Sequence, residues 1–233
     1  MKTIKRSLVP AIVTIMTLFA TNMSYAAGSG GGGGSLSVPS TNSRALTPEQ
    51  LSDKAMRAGI RERDRALKQE ARAAKAKTDK KRDKALAKAQ KFYEKAANKQ
   101  REAVQYNPRN YKALNEWGYA LRKTGDYRKA IGAYNLALEI NPNFHQATEY
   151  RGEAFLALGY LNETKQSYMI LFRNDRELAD QLMQTIQTWV NEKSSTATES
   201  ATEEETEFMA WAQERVKLAK IANDLSLNNT RTW

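Results

Sequence analysis

The sequence predicts an all-α chain: a short helical-repeat solenoid, preceded by a long basic helix and followed by a tethered amphipathic helix. Three observations predict it. The middle of the chain matches itself at a shift of 34 residues. The stretch ahead of that repeat, Glu49 to Tyr106, holds one glycine and no proline. Capping boxes open helices at Thr47 and Thr202, near either end.

Composition narrows the function before any motif is read. The 233 residues carry 37 Lys+Arg against 26 Asp+Glu, a net charge of +11. There is no cysteine, which excludes a disulfide scaffold, a thiolate zinc site and a Cys nucleophile. One histidine, His145, excludes any site that needs two imidazoles. Metal and hydrolase chemistry are disfavoured on these grounds, and no cofactor is expected.

Residues 1–26 read as a signal peptide. Lys2, Lys5 and Arg6 form a positive n-region. Leu8 to Ala20 is an apolar run too short to span about 30 Å of hydrocarbon as a helix. Ser24-Tyr25-Ala26 offers small residues at the spacing a signal peptidase reads. A periplasmic or secreted protein is expected, an uncleaved N-terminal anchor being the alternative. Residues 27–46 contain the run GSGGGGGS, which buries nothing and reads as a disordered linker, natural or engineered.

The basic helix spans residues 47–90. Thr47 caps it, Pro48 suits its first turn, and Ala, Lys, Arg, Gln and Glu dominate it. Leu51, Ala58, Ile60, Leu67, Ala71 and Ala74 give only a thin apolar stripe. The expectation is an exposed or loosely packed helix, or a weak coiled coil, with Gly59 on its surface. Its charge is concentrated: 18 Lys/Arg against 8 Asp/Glu lie between Asp53 and Glu102. Lys80, Lys81, Arg82 and Lys84 are the densest cluster.

In the repeat itself, Gly118 matches Gly152, Gly125 matches Gly159, Ala120 matches Ala154 and Tyr134 matches Tyr168. Asn107-Pro108 matches Asn141-Pro142. Small residues at Gly118 and Ala130 suit a close helix crossing, Gly125-Asp126 suits the turn, and Asn141-Pro142 stops the second helix. Trp117-Gly118-x2-Leu121, Gly125-Asp126-Tyr127, Ala130-x3-Tyr134, Ala137 and Pro142 together resemble the tetratricopeptide repeat, a helix–turn–helix unit of this period. The likeness covers 111–144 in full. Residues 145–176 diverge, with Thr164 for the small alanine and Arg176 for the terminal proline. Residues 91–110 match only the second helix of a unit.

Residues 177–190 carry the apolar stripe of a capping helix: Leu178, Leu182, Ile186 and Trp189. A Ser/Thr/Glu linker follows at 191–202. The amphipathic helix at 203–225 places Phe208, Trp211, Ala212 and Leu218 on one face, and 226–233 is a tail. That face is expected to dock on the Trp189 cap or the groove mouth of its own chain, or else on a second copy in a homodimer.

The resemblance implies a groove lined by the first helix of each unit. Lys112, Asn115, Tyr119 and Arg122 on one unit, and Gln146, Glu149 and Glu153 on the next, would then face a protein partner. The family's clamp for a peptide carboxylate takes several Lys, Arg and Asn; the second unit here offers Glu149 and Glu153 instead. His145 and Glu149 are spaced to share a metal ion, but two ligands without a third make no site, and both read as solvated. Glu149 and Glu153 are paired at helical spacing and read as ordinary exposed acids. No P-loop or nucleophile motif appears. The expected function is a non-catalytic exported adaptor, its basic helix adding attraction to an anionic partner. The alternative is an envelope structural protein that holds anionic polysaccharide or lipid head groups; nucleic acid is not expected as a partner of an exported chain.

Overall fold

Eight helices stack in sequence as four antiparallel pairs, seen in a computed structural model that describes residues 45–195 and 201–229. They are α1 (Pro48–Ala74), α2 (Asp79–Tyr106), α3 (Tyr111–Lys123), α4 (Tyr127–Ile140), α5 (His145–Ala157), α6 (Leu161–Asn174), α7 (Arg176–Ser195) and α8 (Glu203–Asn229). The expected signal peptide, most of the glycine-rich linker, part of the second linker and the end of the tail fall outside the described residues.

The first pair departs from the expected single helix. Residues 75–78 form a turn, and α2 starts afresh because the Thr78 hydroxyl accepts from Lys81 N. Neither glycine nor proline marks this turn; it is made by pairing. The alanine-diluted stripe is dense enough when two such stripes meet. Ala55, Ala66 and Ala73 of α1 and Ala85, Ala89, Ala96 and Ala103 of α2 are buried, and small side chains let the two axes approach closely. Ser52 Oγ donates to Ala103 O at 2.8 Å, fixing the register of the antiparallel pair. The basic element is therefore a packed hairpin, not an exposed helix.

Gly59 is correspondingly not on the surface. It is buried where α1 crosses α2, and a Cβ there would lie 2.4 Å from Gln100 Nε2. That amide is held in place by donating to Met56 O at 3.1 Å.

The middle pairs obey the 34-residue period. Gly125 and Gly159 turn α3 into α4 and α5 into α6 with φ of +86° and +74°, values that only glycine adopts without strain. Asn107, Asn141 and Asp175 stand 34 residues apart, and each ends a helix in extended backbone (φ −140°, −135° and −152°). The missing proline at Arg176 thus changes nothing at the joint. Asp175 Oδ1 instead accepts from Leu178 N at 3.2 Å and starts α7. Thr164, in place of alanine, is fully buried because its hydroxyl donates to Tyr160 O at 2.9 Å.

The last pair is α7 with α8, so the cap is a helix pair and not a lone helix. The Thr202–Glu205 capping box starts α8, each backbone N–H meeting the other's side chain at 3.1 Å. Phe208 is fully buried and sits edge-on to Trp189 at 5.5 Å. Trp211 meets Tyr168 of α6 edge-on at 5.4 Å. Lys193 Nζ pairs with Glu205 at 2.5 Å. The amphipathic helix therefore docks on its own chain, at the Trp189 cap and not in the groove.

Candidate functional site

The odd-numbered helices α1, α3, α5 and α7 each touch the next and form one row. Charged residues on this row meet one another across helices. Arg122, in the last turn of α3, is ion-paired with Glu153 of α5. Its guanidinium lies over the rings of Tyr119 (5.3 Å) and Tyr150 (5.1 Å). Thr185 Oγ1 of α7 donates to Glu153 Oε1 at 3.1 Å. One buried ion pair so ties three helices together.

Electrostatics follow from burial. Burial works against the Arg122 charge, but Glu153 beside it lifts its pKa well above the ordinary value. Glu149 lies one turn before Glu153. Burial, and then repulsion by Glu153, push its carboxyl well above the usual carboxylate range. Gln146 Nε2 donates to Glu149 Oε2 at 3.3 Å. Tyr119 is pushed up to about 12, by burial first. Such a cluster holds its members only if each keeps its partner.

Two more pairs join α1 to α3. Arg63 Nη1 meets Glu116 Oε1 at 2.6 Å, and Lys123 Nζ meets Glu70 Oε1 at 2.7 Å. Beyond Arg122 and Lys123 the row opens into a cavity of about 270 Å³. Its lining includes Glu70 of α1, Tyr93 and Ala89 of α2, Tyr127 of α4, Glu153 and Ala157 of α5 and Thr185, Thr188, Trp189 and Glu192 of α7. The result is an amphipathic recess with aromatic walls and a paired, charged floor.

The structure brings Tyr119, Arg122, Glu149 and Glu153 into one cluster, and two of these, Arg122 and Glu153, line the cavity. Glu149 and Glu153 are 2% and 4% exposed, so the expectation of solvated acids is corrected. Glu153 is covered because Arg122 and Thr185 supply partners from neighbouring helices, and Glu149 is met by Gln146 of its own helix. Asn115 is also buried, whereas Lys112 is exposed at the start of α3, its Nζ 5.9 Å from the Tyr111 ring. Lys80, Lys81, Arg82 and Lys84 are exposed in the first turns of α2, and Arg82 is drawn to Asp79 at 2.9 Å. Among the described residues no group of three His, Asp or Glu is placed to hold a metal ion. No helix among them is long and apolar enough to cross a membrane.

Sequence reasoning missed Glu70, Tyr93, Lys123, Tyr127, Thr188 and Trp189. Tyr93 and Tyr127 stand 34 residues apart, so the period itself held a signal for them. The α7 residues follow no repeat spacing and gave none.

Residues 111–144 match the family model described as Tetratricopeptide repeat. No curated protein matches the chain. Among solved structures it is similar to the first TPR of Spaghetti (RPAP3) bound to the HSP90 peptide SRMEEVD, at 18% identity and a TM-score of 0.46, covering 61% of this chain and 96% of that one. The first TPR domain of human RPAP3 has the same identity and score, 18% and 0.46, with 64% and 98% covered. The Sgt2 TPR domain from Aspergillus fumigatus is similar at 17% identity and a TM-score of 0.40, covering 76% and 86%.

Proposed function

We propose that this chain is a non-catalytic adaptor that seats an anchor side chain of a partner peptide in the recess bounded by Arg122, Tyr127, Glu153 and Trp189. The observation that carries the reading is the recess itself, concave and aromatic-walled, lined from all four helices of the row α1, α3, α5 and α7. Its cations are already paired, Arg122 with Glu153 and Lys123 with Glu70, so the reading favours an aromatic or aliphatic anchor with a polar end over a bare carboxylate. The matched repeat at 111–144 supports it, since units of this kind serve protein contact in general. Peptides selected from a random display library on the whole protein test it. Their binding should collapse on Ala157→Trp, which blocks the recess from an exposed position. Peptides that bind the blocked variant equally well would overturn the proposal.

The reading includes export to the periplasm or beyond. It is supported by the Lys2/Lys5/Arg6 region, the short apolar run and Ser24-Tyr25-Ala26. Intact mass should show a mature start near Ala27, and a chain retaining Met1 would overturn it. The reading also gives the basic hairpin an electrostatic part in holding an anionic partner.

A further inference from the structure

The turn at residues 75–78 gathers charge as a continuous helix would not. It folds the end of α1 beside the start of α2, and a cavity of about 460 Å³ lies there. The charged part of its lining is wholly cationic: Arg72, Lys75, Lys77, Lys81, Lys84 and Lys88. None of the six makes an ion pair among the described residues. The acids closest in sequence are engaged elsewhere. Asp79 and Asp83 face Arg82 at 2.9 and 3.7 Å, and Glu70 faces Lys123. Screening acts over about 8–10 Å at physiological salt, so cations sharing one cavity of this size still repel. An anion seated among them would relieve that repulsion.

The shape and lining narrow the ligand. The six exposed cations line one open cavity of limited size, which suits a compact anion better than a flat membrane. The only apolar lining residues are Ala76 and Ala85, too small to enter a lipid surface. No aromatic ring is present to stack a base. Lysine ammoniums on flexible stems meet phosphate oxygens as point charges and adapt to their spacing.

We propose that this cradle binds one compact polyanion, a molecule that carries several phosphate or sulfate groups close together. The proposal rests on the electrostatic part of the reading above and names its ligand class. Of the four cations that the sequence singled out, Lys81 and Lys84 belong to the cradle; Arg72, Lys75, Lys77 and Lys88 complete it.

Inorganic tripolyphosphate is the probe, titrated into the whole protein by calorimetry. The expected result is saturable 1:1 binding that weakens with added salt and raises the melting temperature. The variant Lys75→Gln/Lys77→Gln/Lys81→Gln/Lys84→Gln should lose on the order of tenfold to a hundredfold in affinity. Without ligand it should melt no lower than the parent, which separates binding from folding. Removing four cations outside the cradle, Lys54→Gln/Arg57→Gln/Lys68→Gln/Lys91→Gln, should cost far less. Equal losses in the two variants would overturn the proposal. So would binding only to phosphatidylglycerol vesicles or to duplex RNA, with none to tripolyphosphate. Dextran sulfate separates the two readings: if it binds the cradle variant undiminished, the general electrostatic role stands and the cradle fails. If the parent binds no anion at all, both fail.

Discussion

Two helical glycines should respond with opposite sign to the same substitution. At Gly118 an added Cβ would lie 2.5 Å from Tyr134 Cε1 and 2.8 Å from Cδ1 and Cζ. Ordinary contact begins near 3.4 Å, so the ring must retreat by roughly 1 Å. It has little room to do so. Tyr134 is fully buried, and Tyr150 stands against it at 6.1 Å between ring centres. Overpacking of this kind costs about 1–3 kcal/mol, and alanine returns about 1 kcal/mol of helix propensity. Gly118→Ala should therefore destabilise by up to about 2 kcal/mol, which lowers the melting temperature by up to roughly 8 °C in a chain of this length. At Gly132, on the exposed side of α4, an added Cβ meets nothing within 4 Å. Only propensity acts there, so Gly132→Ala should stabilise by up to about 1 kcal/mol. Urea titrations followed by far-UV circular dichroism read both, with the slope held constant as the check that only stability has changed. If both variants shift the same way, the close crossing of α3 and α4 at Gly118 is wrong.

Further outcomes follow from the buried groups. Glu149 has a folded-state pKa well above its ordinary value, through burial and then through Glu153, so the folded chain holds a proton there that the unfolded chain releases. Its contribution is therefore full below the ordinary carboxylate range and is lost as pH rises through the elevated value, at a slope of at most about 1.4 kcal/mol per pH unit. Glu149→Gln should raise stability at neutral pH and flatten that part of the profile; an unchanged pH profile would count against the burial of Glu149 beside Glu153. Phe208→Ala removes a fully buried ring between Trp189 and Trp211 and should cost about 3–5 kcal/mol, independent of protein concentration. Concentration-dependent melting would instead mean that α8 docks on a second copy.

The repeat was legible because its determinants are local and periodic. Gly125, Gly159 and the joints at Asn107 and Asn141 act within a few residues of themselves, and the period exposes them. The turn at 75–78 was not legible, since alanines and lysines are helix formers on both sides of it. What breaks the helix is the pairing of two alanine faces far apart in sequence, with Ser52 meeting Ala103, and no single window contains both. The acids of the site were found and their burial was not. Glu153 is covered by Arg122 and Thr185, which stand 31 and 32 residues away on other helices. Charge can be read from a residue, but burial depends on its neighbours in space.

The central claim is that a partner peptide enters the recess at Trp189 and not the opposite, exposed side of the repeats. Site-specific photo-cross-linking tests it most directly. Benzoylphenylalanine replaces Thr188, which lines the recess, or Leu136, which is exposed on α4 outside it, and each protein is irradiated with a peptide selected on the parent chain. Position 188 should yield the adduct, and Ala157→Trp should suppress it, while position 136 should yield none. An adduct that forms from position 136 and not from 188, or equally from both, would contradict the account.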